Sequence, residues 1–148
     1  MTRPLLIAFL STTLTLLTGC ASLSLPPDQH ALAGIKSVYL GSFGGGEGSD
    51  LVREKLRVRL IKSGRFEVVE TPEHADAILS GSAGVETILD TGTTGHRGTG
   101  LLRLVDTKTQ KTIWAHEYQR GFMLAGSVST RVANQMADQL LKDAGAAR

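Results

Sequence analysis

The chain of 148 residues has a single cysteine, Cys20. One cysteine excludes an internal disulfide, and once its sulfur is modified the four histidines, His30, His74, His96 and His116, have no thiol partner for a metal. Those histidines also lack ligand spacing, so no metal site is expected. Aromatic residues make up only 5% of the chain, with one Trp and two Tyr, so most of the core has to come from aliphatic side chains. The formal net charge is +2, which gives no reason to expect nucleic-acid binding. Long apolar runs are missing too. The run Leu5–Leu17 has 13 residues, hydroxyls included, whereas a membrane-spanning helix needs about 20.

What the first twenty residues do contain is ordered. Arg3 is the only charge among residues 1–19, and the uncharged run follows it; a positive n-region before a short h-region is the layout of a secretory signal peptide. Next comes Leu17-Thr18-Gly19-Cys20. An aliphatic residue, two small residues and a cysteine resemble the lipobox of bacterial lipoproteins. The thiol takes a diacylglycerol as a thioether, the small residues let a peptidase reach the backbone, and the freed amine of Cys20 accepts a further acyl group such as palmitate. Several acyl chains make anchoring stable where one is marginal. Ala21 and Ser22 follow, with no Asp beside the cysteine, a pattern that implies the outer membrane and a periplasm-facing domain. The expected organisation is a signal peptide over 1–19, a lipidated cysteine and flexible tether over 20–34, and one α/β domain over 35–148. Loss of Arg3 leaves a formal charge of +1. Pro26-Pro27 interrupts regular structure in the tether, whose reach is at most about 45–50 Å.

Ile35–Phe43 reads as a strand rich in β-branched and aromatic residues. The loop 44–48, GGGEG, precedes a helix capped by Ser49 or Asp50 and running to about Lys62. Its apolar stripe is Val52, Leu56 and Leu60, with Leu51 and Ile61 beside it. Gly64 suits the left-handed residue that ends it. Arg65–Glu70 is a second strand, completing a βαβ unit. A turn over 71–74 follows, with Pro72 at its first helical position. The pattern then predicts a strand over Asp76–Leu89, a flexible loop over 90–98, and strands over Thr99–Asp106 and Thr112–Arg120 joined by a short polar hairpin loop. Trp114, His116 and Tyr118 fall on one face of the last strand and Ile113, Ala115 and Glu117 on the other. A final helix over Ser127–Ala144 carries Val128, Val132, Met136 and Leu140 on one stripe, widened by Ala133, Ala137 and Leu141. The order β-α-β-β-β-α predicts an α+β fold: one mixed sheet with two main helices packed on it.

Three segments carry a family resemblance. Gly64–Val69, Ala75–Gly81 and Arg103–Trp114 resemble, in order, the strand after the helix, the following strand and the closing hairpin of a known α/β periplasmic domain. That domain occurs in the CsgG curli-secretion family, at the amino terminus of TolB and in LpoB-type lipoprotein activators of penicillin-binding proteins. The resemblance covers most of residues 35–120 and implies a fold, because the shared positions are core and turn positions. The curli-secretion pore proteins are about twice this length and carry extra membrane-spanning hairpins, for which this chain has no room; pore formation is not carried over.

Candidate chemistry is sparse. Gly44, Gly46 and Gly48 mimic a dinucleotide loop, but their spacing departs from GxGxxG and Glu47 repels phosphate. No cofactor is expected. No GxSxG elbow exists, and Asp90 and Asp106 read as turn residues. The expected function is that of a non-enzymatic, lipid-anchored adaptor or assembly factor that binds other envelope proteins. The alternative is an assembly lipoprotein of the lipopolysaccharide-transport type, binding lipid or a barrel partner. Possible partner-binding residues are Arg53 and Arg57 on the basic first helix, and His96 and Arg97 in the expected loop.

Overall fold

The computed structural model of the chain describes residues 28–46, 48–90, 92–123 and 127–145. The elements in chain order are α1 (Gln29–Gly34), β1 (Ser37–Gly44), α2 (Ser49–Ser63), β2 (Glu67–Val69), a 3-10 turn (Pro72–His74), β3 (Ala77–Asp90), β4 (Thr93–Asp106), β5 (Thr112–Met123) and α3 (Val128–Asp143). The strands form one mixed sheet ordered β2-β1-β3-β4-β5. β1 pairs in parallel with both β2 and β3, while β3, β4 and β5 run antiparallel. The α+β architecture read from the sequence is the one observed.

The helices follow from their stripes. Val52, Leu56 and Leu60 of α2 are at most 1% exposed, and α3 buries Val132, Ala133, Met136, Ala137 and Leu140 completely. Both helices lie on the same side of the sheet, over Val38, Leu40, Leu79, Leu102, Leu104 and Trp114. Each fully buried leucine stabilises the fold by roughly 1.5–3 kcal/mol. Gly64 closes α2 in the left-handed region at φ 64°. Ser127 caps α3 by accepting from the Thr130 N–H.

Four expectations needed correction. Residues 28–34, expected as the end of a tether, instead form α1. Asp28 caps this helix, the Asp28 N–H donates to the Ile113 carbonyl at 3.2 Å, and Leu32 is fully buried. The loop expected over 90–98 is mostly strand: β3 and β4 pair continuously from Ala77↔Asp106 to Asp90↔Thr93. His96 and Arg97 therefore belong to a strand. Neither Ser49 nor Asp50 caps α2, because its cap position falls on Gly48 in the left-handed region at φ 88°, with no side chain to bond. Finally, Leu51 and Ile61 are 50% and 53% exposed; the buried stripe of α2 is only one residue wide per turn.

Glycines in β4 decide how closely α3 can approach. A Cβ on Gly98 would lie 2.6 Å from Val132 Cγ2 and 2.8 Å from Val128 Cγ1, and one on Gly100 would lie 2.8 Å from Met136 Cε. A side chain at Gly98 would have to displace the branched Val132 and Val128, and one at Gly100 the end of Met136, so α3 lies close on the backbone of the strand.

Candidate functional site

Among the described residues, the two helices cover one face of the sheet and the other has no second layer. Strand register places the uncovered side chains in rows: Ile78 beside Val105, then Ser80 beside Arg103 and Ala115, then Ser82 beside Leu101 and Glu117. The Arg103 Nε donates to Ser80 Oγ at 3.1 Å, which ties the middle row together. Leu101 is 41% exposed. It stands between two shallow depressions of about 250 Å³ each. One is floored by Ser80, Gly81 and Ser82, and the other lies against Thr99, Glu117 and Tyr118. At Gly81 β3 and β4 run so close that a Cβ would strike the Leu101 carbonyl. The result is a pleated surface with one apolar ridge flanked by hydroxyls, one arginine and one glutamate. Such a surface can bind by shape and by paired polar contacts. The open flank of β5 adds a strand edge to it.

The four residues read as partner-binding do not converge. Arg53 turns inward: its Nε donates to the Gly41 carbonyl and its NH2 nitrogen to the Leu40 carbonyl, both at 3.0 Å. The register between β1 and β3 shifts between Leu40 and Phe43, which leaves these carbonyls for a side chain to satisfy and brings Phe43 to the buried face. Arg57 pairs with Glu70. His96 lies opposite Thr87, whose Oγ1 is 3.3 Å from its Nδ1. Arg97 lies opposite Glu86, and as neighbours in a strand His96 and Arg97 point to opposite faces. Leu17, Thr18, Gly19 and Cys20 lie outside the described residues.

Several polar groups that the sequence reading passed over hold the domain together. Arg65 donates to the carbonyls of Ile35 at 2.8 Å, Ala33 at 3.2 Å and Ala144 at 3.3 Å, and its guanidinium lies 4.7 Å from the Phe66 ring centre. It thus ties the ends of α1 and α3 to the start of β2. Trp114 Nε1 donates to Asp143 Oδ2 at 2.8 Å, and Gln139 Nε2 donates to the same carboxylate. The backbone N–H groups of Ser37 and Lys36, with the Ser37 hydroxyl and the charge of Lys108, hold the Asp76 carboxyl below its ordinary pKa. The Thr109 N–H, followed by the Thr109 hydroxyl, does the same for Asp106 at the turn between β4 and β5. The Asp106 carboxylate serves a turn, and that of Asp76 ties the start of β3 to the start of β1. The sequence signal for Asp106 was its place before TKTQK; Arg65 and Asp143 gave none, because their partners lie far away in the chain.

The glycine loop after β1 also has a structural use. Gly45 sits at φ 124°, where a Cβ would strike the Ala83 carbonyl. Among the described residues no group of three or more His, Cys, Asp or Glu side chains is placed to hold a metal ion. Among them, too, no helix is long and apolar enough to cross a membrane.

No family model matches the chain, and no curated protein does. Solved structures do share its fold. The PelC dodecamer from Paraburkholderia phytofirmans is similar with a TM-score of 0.59 at 17% identity, covering 76% of this chain and 88% of that one. Protein XCC0632 from Xanthomonas campestris has a TM-score of 0.56 at 9% identity, over 74% and 86% of the two chains. Lipoprotein GNA1162 from Neisseria meningitidis has a TM-score of 0.54 at 9% identity, over 74% and 98%. At these identities the likeness shows the fold, and it is a fold that a bacterial lipoprotein uses.

Proposed function

We propose that the chain is a lipid-anchored, non-enzymatic envelope lipoprotein that binds other envelope proteins as an adaptor or assembly factor, with its uncovered sheet face as a protein contact surface. The observation that carries this reading is the Leu101 ridge on a sheet covered on one side only. Supporting it are the lipobox Leu17–Cys20 with the signal-like run before it, and the fold shared with lipoprotein GNA1162. The kinship with the CsgG, TolB amino-terminal and LpoB-type domains belongs to the same proposal. Lipid on Cys20 anchors the domain to the outer membrane, facing the periplasm. Because α1 starts at Gln29, the stretch from Cys20 to Asp28 can span at most ~29 Å, less than a tether ending at residue 34.

The lipopolysaccharide-binding alternative drew on Arg53 and Arg57. Both guanidiniums are engaged within the domain, so protein docking is the better-supported reading. A second element is favoured by one comparison: PelC, of similar fold, forms a dodecamer, and we extend self-association to this chain. The test is a cross-linking pull-down from intact cells against a Cys20→Ser control. Envelope proteins should be captured with the native chain and lost with the variant. Equal capture by both would count against the anchor, and capture by neither against the adaptor role.

A further inference from the structure

We propose that copies of this chain associate head to tail, the outer face of α2 in one copy seated on the uncovered sheet face of the next. The inference rests on the self-association just proposed and names the surfaces that carry it. Among the described residues the exposed large apolar side chains are Leu51, Val58, Ile61, Leu89 and Leu101. Three of these five are on α2, which shows that its apolar character extends well beyond the face it buries. Leu51, Lys55, Val58 and Lys62 recur at helical spacing and form one outward stripe. Beside that stripe, between α2 and α3, lies a groove of about 450 Å³ lined by Lys55, Val58, Arg59, Lys62 and Asn134, and by Glu54, whose carboxylate pairs with Arg53.

The sheet face offers the complement. Leu101 projects as a ridge, and Glu117 sits directly across the strand pair from it. A leucine knob fits a groove with Val58 in its wall, and the neighbouring carboxylate then meets the ammonium groups of Lys55 and Lys62. Among the described residues these charges form no ion pair. The ion pairs found among the described residues join Arg53 to Glu54, Arg57 to Glu70 and Arg59 to Asp138, and none uses Lys55, Lys62 or Glu117. The pairing therefore matches apolar to apolar and positive to negative, which fixes register as well as attraction.

The two surfaces lie on opposite sides of a two-layer domain, so one copy cannot satisfy both within itself. Contacts of this heterologous kind build rings when the rotation closes and filaments when it does not. A common lipid anchor would keep every copy in one plane and favour closure.

Cys20 is the only native cysteine and acylation blocks it, so introduced thiols report cleanly. In the full lipidated chain, Val58→Cys combined with Leu101→Cys should give an oxidised ladder extending beyond the dimer, with neither single variant doing so. Native mass spectrometry in detergent should show an oligomer that Lys55→Glu with Lys62→Glu weakens by roughly tenfold, and that adding Glu117→Lys restores. Both sets of positions are on the surface, so folding should survive. An oligomer without the ladder overturns these surfaces and leaves self-association standing. A dimer from Leu101→Cys alone means that the sheet face meets itself, which overturns the head-to-tail arrangement. A monomer under all conditions overturns both readings.

Discussion

Beneath α2 and α3 the sheet presents Val38, Leu40, Leu79, Leu102, Leu104 and Trp114, none more than 2% exposed; its other side presents Leu101 at 41%, among Ser80, Ser82, Arg103 and Glu117. The same strands supply both sides, because alternate residues point opposite ways. On the packed side each position is constrained by a neighbour: Gly98 and Gly100 are small because α3 lies on them, and Trp114 is held by Asp143. On the open side few contacts within the domain dictate the residue. Leu101 stands there half in water, and the proposed docking gives it a partner that folding does not.

The comparison can be broken by mutation. The largest effect is expected from Trp114→Ala, which empties the most voluminous fully buried site and should cost about 3–5 kcal/mol in denaturant unfolding. Next, Gly98→Val forces methyl groups into Val132 and Val128 and should destabilise by about 1–3 kcal/mol. If that variant unfolded like the native chain, the close approach of α3 would be wrong.

A smaller effect is expected at the rim, where Asp76 accepts from the N–H groups of Lys36 and Ser37. Asp76→Asn should lose about 1 kcal/mol at neutral pH. The folded pKa of Asp76 is depressed, so its contribution is complete above the unfolded value of about 3.9 and is lost as pH falls through the lower folded value. The stability gap between variant and native chain should therefore narrow below about pH 4, and a gap that persists in strong acid would contradict the assignment. Smallest is Leu101→Ser on the open side, expected to change stability by no more than about 0.5 kcal/mol while weakening protein cross-links made through the open sheet face. A large loss of stability there would erase the distinction between the two sides.

Much of the packed side was legible in the sequence. The stripes of α2 and α3, the strand pattern around RFEVVE and ADAILSG, and the polar loop before Thr112 all follow from local periodicity. What failed to show was decided at long range. Glycines 92, 95 and 98 read as a loop, yet Gly98 answers to Val132 and Val128 about thirty residues later. Residues 28–34 follow two prolines and read as a tether, but Leu32 joins the core and Asp28 bonds to β5. Arg53 read as a partner-binding charge because its inward bonds to the Gly41 and Leu40 carbonyls, beside a register shift, are invisible in sequence. The strand-five pattern separated Trp114, His116 and Tyr118 from Ala115 and Glu117, but which side would stay open depended on where both helices landed. Ile113 also departs from that pattern: the pairing shifts between Leu104 and Val105, and Ile113 is only 7% exposed.

The central claim is that the open sheet face is a protein contact surface held at a membrane. A photo-activated cross-linker at position 101 of the lipidated chain, irradiated in intact cells, tests it most directly, with position 109 in the polar turn as control. The account predicts protein adducts from position 101 that disappear in the Cys20→Ser background, and few from position 109. Adducts absent at 101, or equally abundant at both positions, would contradict it.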